Sequence, residues 1–239
     1  MDINKPLGRR AYGSIPHLPG SRLGPGDYCI NKGQARIATE KPRDKHDLII
    51  VQEKLDGSNV AVVKVEGEIY ALTRAGYSAE TSPYVQHHFF AKWVEQNEGR
   101  FARLLYEGER LSGEWLAMAH GTQYNLPHEP FVAFDLFTSS NERVPYKKFE
   151  AAVKDYDFII PKLLHIGNNS FSVEQMKEAI TTSGHGAIDE VEGAVWRVER
   201  KEKVDFLCKY VHHNKQDGKY FAEHTGKGNL WNCDISQWE

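Results

Sequence analysis

The chain has 239 residues, 40% of them hydrophobic and 26% charged, with a formal net charge of −3. This is an ordinary globular composition with room for one substantial domain. The charge excludes a protein that coats nucleic acid by bulk electrostatics, and no apolar run approaches the ~18 residues of a membrane span.

Cys29, Cys208 and Cys233 are few, odd in number and widely spaced. They predict reduced thiols, with neither a disulfide framework nor a zinc site. The amino terminus, MDINKPLGRRAYGS, lacks the apolar stretch of a signal peptide, so a cytoplasmic protein is expected. Charge is unevenly placed. Residues 1–45 carry nine Lys/Arg against four Asp/Glu, a balance of +5, and residues 197–227 carry eight against five, or +3. Both stretches suit a phosphate-binding surface, and both also suit solvated loops.

Residues 1–47 are rich in Gly and Pro, as in YGSIPHLPGSRLGPGD, and lack sustained periodicity. An extended, loop-rich segment that buries little apolar surface is expected, with Arg9, Arg10, Arg22, Lys32 and Arg36 available to phosphates. The β-branched runs at 49–51 and 60–63 then read as buried strands. Between them lies Glu53-Lys54-Leu55-Asp56-Gly57-Ser58-Asn59, whose Asp-Gly predicts a hairpin or tight loop. Lys54 thus leaves a core strand for a turn. Partial desolvation there is expected to lower its pKa toward the range in which a neutral, nucleophilic amine exists at pH 7. A solvated lysine on a surface turn is the alternative.

Residues 68–73 alternate as a strand that delivers Arg74, placed either to grip a phosphate or simply to sit on the surface. Ser82-Pro83 predicts a helix with Ser82 as its cap, running through YVQHHFFAKWVEQN to Gly99. His87 and His88 are neighbours on it and cannot share a face, which argues against metal ligation. Residues 111–116 form a short strand in which Glu114 needs a partner: a metal ion, a ribose hydroxyl or a buried cation. Residues 131–137, FVAFDLF, read as a fully buried strand. Its Asp135 also needs a partner, and Phe134 or another of its rings offers a face for a purine.

Residues 146–156 and 172–182 predict two scaffold helices, the second with a Ser172/Gln175 capping box and Gly184 as terminator. His185, between two glycines, reads as a loop residue. Glu192 stands at the mouth of the strand beginning near Gly193, with Asp189 and Glu190 as solvated neighbours. Residues 204–211 form a strand whose Lys209 either snorkels or meets an anion.

EKLDGSN resembles the lysine motif of the covalent nucleotidyltransferases, the superfamily of DNA ligases, RNA ligases and mRNA-capping enzymes. Glu53 before the lysine and Ser58-Asn59 after the glycine look like the RNA-ligase branch, and GSIPHLPGSR is similar to bacterial and phage RNA-ligase-like proteins. Lys54, Arg74, Glu114, Phe134, Glu192 and Lys209 occur in the superfamily's order across about residues 49–211. One departure stands out: the fifth motif commonly has two lysines one residue apart, and here Leu207 holds the first place. Lys203, Arg197 or the N-terminal segment would have to supply the missing charge.

The resemblance implies an α+β nucleotidyltransferase (ATP-grasp-like) domain with antiparallel sheets around a nucleotide cleft. It implies ATP as substrate, Mg²⁺ or Mn²⁺, and a lysyl-AMP intermediate on Lys54 that joins 5′-phosphate to 3′-hydroxyl ends. By the same resemblance Glu53, Lys54, Asn59, Arg74, Glu114, Phe134 and Lys209 bind the nucleotide, Glu114 and Glu192 hold ribose or metal, and Lys54, Glu192 and Lys209 are catalytic. Only 24 residues follow Lys215, 239 minus 215, so a C-terminal OB barrel is not expected. A monomer acting on RNA, with DNA or mixed ends as alternatives, is the expectation. The basic N-terminal segment is expected to engage the polynucleotide. A minimal DNA ligase and a catalytically reduced nucleotide- or RNA-binding module are the rival readings.

Overall fold

The structure is a computed structural model and describes residues 4–239. In chain order it contains α1 (Lys32–Thr39), β1 (Asp47–Lys54), β2 (Ser58–Val65), β3 (Glu68–Thr73), a single 3-10 turn (Ala79–Thr81), α2 (Val85–Gln96), α3 (Glu98–Leu104), β4 (Arg110–Trp115) and β5 (Phe131–Phe137). There follow α4 (Tyr146–Lys154), β6 (Leu163–Gly167), α5 (Val173–Ala179), β7 (Gly193–Arg200), β8 (Lys203–Val211) and the short α6 (Ala222–Thr225). The strands form two antiparallel sheets, ordered β6-β1-β7-β8 and β3-β2-β4-β5. This is the α+β architecture with antiparallel sheets that the resemblance implies. No described helix is long and apolar enough to cross a membrane, and the three cysteines are free.

Period-2 alternation explains why β1 reads as one apolar run. Ile50 points into a large aromatic cluster with Val60, Val62, Phe90, Trp93, Trp115 and Phe131, while Ile49 and Val51 point to the opposite face and pack with Leu18, Ile30, Trp196 and Cys208. Both faces of the first sheet are therefore covered. Trp115 and Trp196 are fully buried, and truncating either to Ala would cost ~3–5 kcal/mol through lost burial and the cavity left behind.

Several expectations need correction. β1 and β2 are consecutive but lie in different sheets, so of the two expectations for Leu55-Asp56-Gly57 the tight loop holds, crossing from one sheet to the other, and the hairpin does not. The Asp-Gly signal specifies a sharp change of direction, and which strands then pair is decided by the long-range partners of each. The helix expected from Ser82 to Gly99 begins at Val85, with Tyr84 at the cap position, and a second helix starts at Glu98 and carries Gly99 inside it. Pro83 holds Ser82 in an extended conformation (φ −69°, ψ 144°), too early for the first helical turn.

The Ser172/Gln175 capping box is present, but α5 ends at Ala179, short of Gly184. The N-terminal segment holds α1, capped by Asn31, and it is well packed. Tyr12, Leu18, Ile30, Ala35 and Ala38 are buried, and residues 16–18 lie along β8, with Leu18 N–H donating to Lys209 O and Lys209 N–H to Pro16 O. The first three residues of this segment lie outside the described residues.

Candidate active site

A cavity of about 1120 Å³ opens between the sheets and is lined by residues of both, among them Lys54, Asn59, Glu114, Phe134, Arg197 and Lys209. Strand register places the reactive groups. Lys54, the last residue of β1, faces Gly193, the first of β7, which sets Glu192 beside it. The Lys54 Nζ lies 2.5 Å from Glu192 Oε2. On the second sheet Asn59 pairs with Glu114, and the Gly57 N–H donates to Glu114 Oε1 at 3.1 Å. Glycine is needed at both corners. A Cβ at Gly57 would come within 2.5 Å of the Trp115 carbonyl oxygen, and Gly193 has φ +151° with a Cβ position 1.9 Å from the Tyr210 carbonyl oxygen.

The electrostatics overturn one expectation. Burial does push the Lys54 ammonium down, but Glu192, Glu114 and Asp56 outweigh it, so its pKa is held above the ordinary value. The resting nucleophile is an ion-paired ammonium, because desolvation here comes with three carboxylates that the sequence did not show converging. Burial pushes the Glu192 carboxyl up, against the pull of Lys54. Glu114 is pushed up to about 7 by burial, with Lys54 opposing and Glu192 adding to the rise. Lys209 is pushed down by burial and by Lys54, and its Nζ is 3.9 Å from Asp27.

Phe134 lines the cavity in edge contact with Tyr12, centroids 5.1 Å apart. The amide oxygen of Asn59 is buried without a hydrogen-bond partner, the state of a group awaiting a ligand. Arg74 lines the cavity and donates to Gly13 O at 3.2 Å and Ser14 Oγ at 3.0 Å. Glu53 also borders it, but its carboxylate accepts from Ser183 Oγ at 2.5 Å and Gly184 N–H at 2.8 Å. Glu53 therefore ties down the 183–184 loop. Glu192 reaches the site through Lys54.

Asp135 has its partner. Buried, it accepts from Tyr12 Oη at 2.6 Å, from Arg143 and from Arg197, and the two guanidiniums hold it below the usual carboxylate range despite burial. This ion cluster joins the two sheets beneath the cavity. It also commits Arg197, which faces Leu207 across β7 and β8, so Arg197 does not provide a free charge at the Leu207 position. Lys203 begins β8 away from the cavity, and Arg22 pairs with Asp217 at 2.9 Å.

His185 is the loop residue expected, though buried and bonded to His128 at 2.8 Å; Asp189, expected to be solvated, instead accepts from Lys219, Tyr220 and Gln123. Both depend on chain segments distant in sequence. Gln52 and His120 also line the cavity. Gln52 was legible, since a polar residue two positions before Lys54 in a strand must share its face. His120, 3.3 Å from Ser58 Oγ, follows β4 in a loop and has no such periodic signal.

Comparison with known proteins places this geometry. A model of the family described as RNA ligase matches residues 47–211. An archaeal ATP-dependent RNA ligase superposes with TM-score 0.53 at 20% identity, covering 84% of this chain and 48% of that one. A Naegleria gruberi RNA ligase variant with ATP and Mn superposes with TM-score 0.52 at 17% identity, covering 91% and 64%. At these identities the likeness shows a shared fold. A 31-residue stretch is 55% identical to an uncharacterized protein of Methanocaldococcus jannaschii, 13% of this chain and 8% of that protein. The chain thus spans about half to two thirds of the length of these solved structures.

Proposed function

The chain belongs to the RNA ligase family, and from that premise we propose that it is an ATP-dependent RNA ligase. In this reading it joins 5′-phosphate and 3′-hydroxyl ends through AMP carried on Lys54. The observation that carries the proposal is the Lys54–Glu192 pair, 2.5 Å apart, beside a cavity that Glu114, Phe134 and Lys209 also line.

The Lys54 nitrogen forms a bond to the α-phosphorus of ATP while the bond to the bridging oxygen breaks and pyrophosphate leaves. The ammonium must first lose a proton. Glu192 is the acceptor at hand, in contact and with a carboxyl that burial already biases toward protonation. Lys209 faces the transferring phosphates, Phe134 the adenine, and Asn59 and Arg74 supply further polar contacts. AMP then passes to a 5′-phosphate end, and a 3′-hydroxyl displaces it as the strand is sealed.

Among the described residues no three His, Cys, Asp or Glu side chains converge as a metal-binding group, so a divalent ion, Mg²⁺ or Mn²⁺, would take Glu114 and, while it is unprotonated, Glu192, with substrate phosphates completing its shell. Bound there, it would neutralise phosphate charge. The proposal includes a monomer in a reducing cytoplasm, in keeping with the three free cysteines.

A nucleotide- or RNA-binding module without ligation is the second reading, favoured by Leu207 lining the cavity at the place of a lysine. Incubation with ATP labelled on its α-phosphate and a divalent ion separates the two. Label is expected to survive denaturation in the wild type and to vanish in a folded Lys54→Ala variant. No label in the wild type, or persistent label in the variant, rejects the ligase reading.

A further inference from the structure

The cavity is larger than its nucleotide end requires. Small-ligand pockets run to roughly 300–1,000 Å³, and this one, at about 1120 Å³, continues past Lys54 to a rim formed by the turn before α2 on one side and by Phe221 and Ala222 on the other. Tyr84 lines that rim and is 59% exposed.

A lone exposed aromatic is unremarkable in itself, but the backbone beneath this one is pinned. The Ser82 carbonyl oxygen meets His88 Nε2 at 2.6 Å, its hydroxyl meets His87 Nδ1 at 2.6 Å, and the same hydroxyl accepts the Tyr84 N–H at 3.2 Å. The Tyr84 ring packs perpendicular to His87, centroids 5.9 Å apart. A rigid support thus holds a large apolar ring in water at the mouth of the site. Tyr77, 48% exposed, also lines the cavity, as a separate ring with Lys5 Nζ 4.7 Å from its centroid. Arg74 lines the cavity too, and both of its hydrogen bonds leave from one nitrogen, which leaves its other N–H groups available to a phosphate.

We infer that Tyr84 is a stacking platform that receives an unpaired terminal base of a single-stranded polynucleotide, with Arg74 and, beside Tyr77, Lys5 meeting its phosphates. The identity of the ligand rests on the proposed ligase reading. Every base has a π-face, so such a platform tolerates any sequence. A base paired at a nick keeps both faces against its neighbours and has none to offer. The platform therefore selects single-stranded ends over nicked duplexes.

The test measures binding of a short 5′-phosphorylated RNA, free or annealed as a nicked duplex, by fluorescence anisotropy at one salt concentration. Tyr84→Ala is expected to weaken single-strand binding by about 10- to 100-fold, from base–aromatic stacking of ~1–3 kcal/mol per base, and to leave the nicked duplex unaffected. Tyr84→Trp is expected to restore single-strand affinity, which a merely structural role would not do. Labelled AMP on Lys54 is expected at wild-type level in both variants. Unchanged single-strand affinity in Tyr84→Ala, an equal loss on both substrates, or loss of the AMP adduct would each overturn the platform; the last would assign the ring to ATP. Failure of the ligase reading shows separately, as a wild-type protein that forms no adduct, because the binding comparison needs no catalysis.

Discussion

Glu114 sits where ionisation is opposed by burial and by a second carboxylate, and the consequence can be read in stability. Its folded pKa of about 7 lies above the ordinary value of 4.5. Between those two pH values the folded state keeps a proton that the unfolded state has released, so stability contributed by this group is full below pH 4.5 and is lost as pH rises toward 7. Glu114→Gln is expected to remove that slope. Melting temperatures of the two proteins from pH 4 to 8, without nucleotide, should converge at the acid end and diverge toward neutrality in favour of the variant. The gap corresponds to on the order of 3 kcal/mol, from a pKa that moves from 4.5 to about 7. Parallel curves would mean that Glu114 ionises normally. The same comparison cancels the histidines that titrate nearby, since they are common to both proteins.

At the scale of strands, the start of β7 is the tightest fit. Gly193→Ala would place a methyl group 1.9 Å from the Tyr210 carbonyl oxygen at a φ of +151°, forcing β7 from β8 beside Glu192. A loss of roughly 2–4 kcal/mol is expected, together with slower AMP transfer to Lys54. Gly228→Ala, with nothing within 4 Å, is expected to change neither the denaturation midpoint nor the labelling rate. Lys54 was legible in the sequence because it terminates a β-branched run, while Glu192, ahead of its strand, and Lys209, within an apolar one, drew notice as charges and took their roles from the resemblance. The crossing of β1 into one sheet and β2 into the other was not legible, since strand partners are chosen by side chains far along the chain. Nor were the burial of His185 and the bonds of Asp189, which depend on His128 and on Lys219 and Tyr220. The ammonium state of Lys54 escaped for the same reason: its sign depends on three carboxylates brought together from β4, the crossing loop and the residue before β7.

Across the whole molecule, the N-terminal segment supports the site as well as carrying charge. Leu18 and Ile30 belong to the cluster behind β1 and β7, and Tyr12 bonds the ion cluster beneath the cavity. Deleting this segment is expected to lower the melting temperature and abolish AMP transfer along with joining, so deletion cannot isolate a contact with RNA. The exposed Arg9 and Arg10 can. The double variant Arg9→Ala, Arg10→Ala is expected to keep AMP transfer and to flatten the salt dependence of RNA binding by ~0.7 in log–log slope per lost phosphate contact. An unchanged slope would place those arginines away from the polynucleotide. The crossing loop has a mechanical meaning too. Leu55, Asp56 and Gly57 are all that separate β1 from β2, and three residues reach at most ~10 Å when fully extended. The two sheets are therefore tethered next to Lys54 by the chain itself, and a second time beneath the cavity by the Asp135–Arg197 pair, so the reacting groups sit where the sheets are held together and the rim lies where they are not.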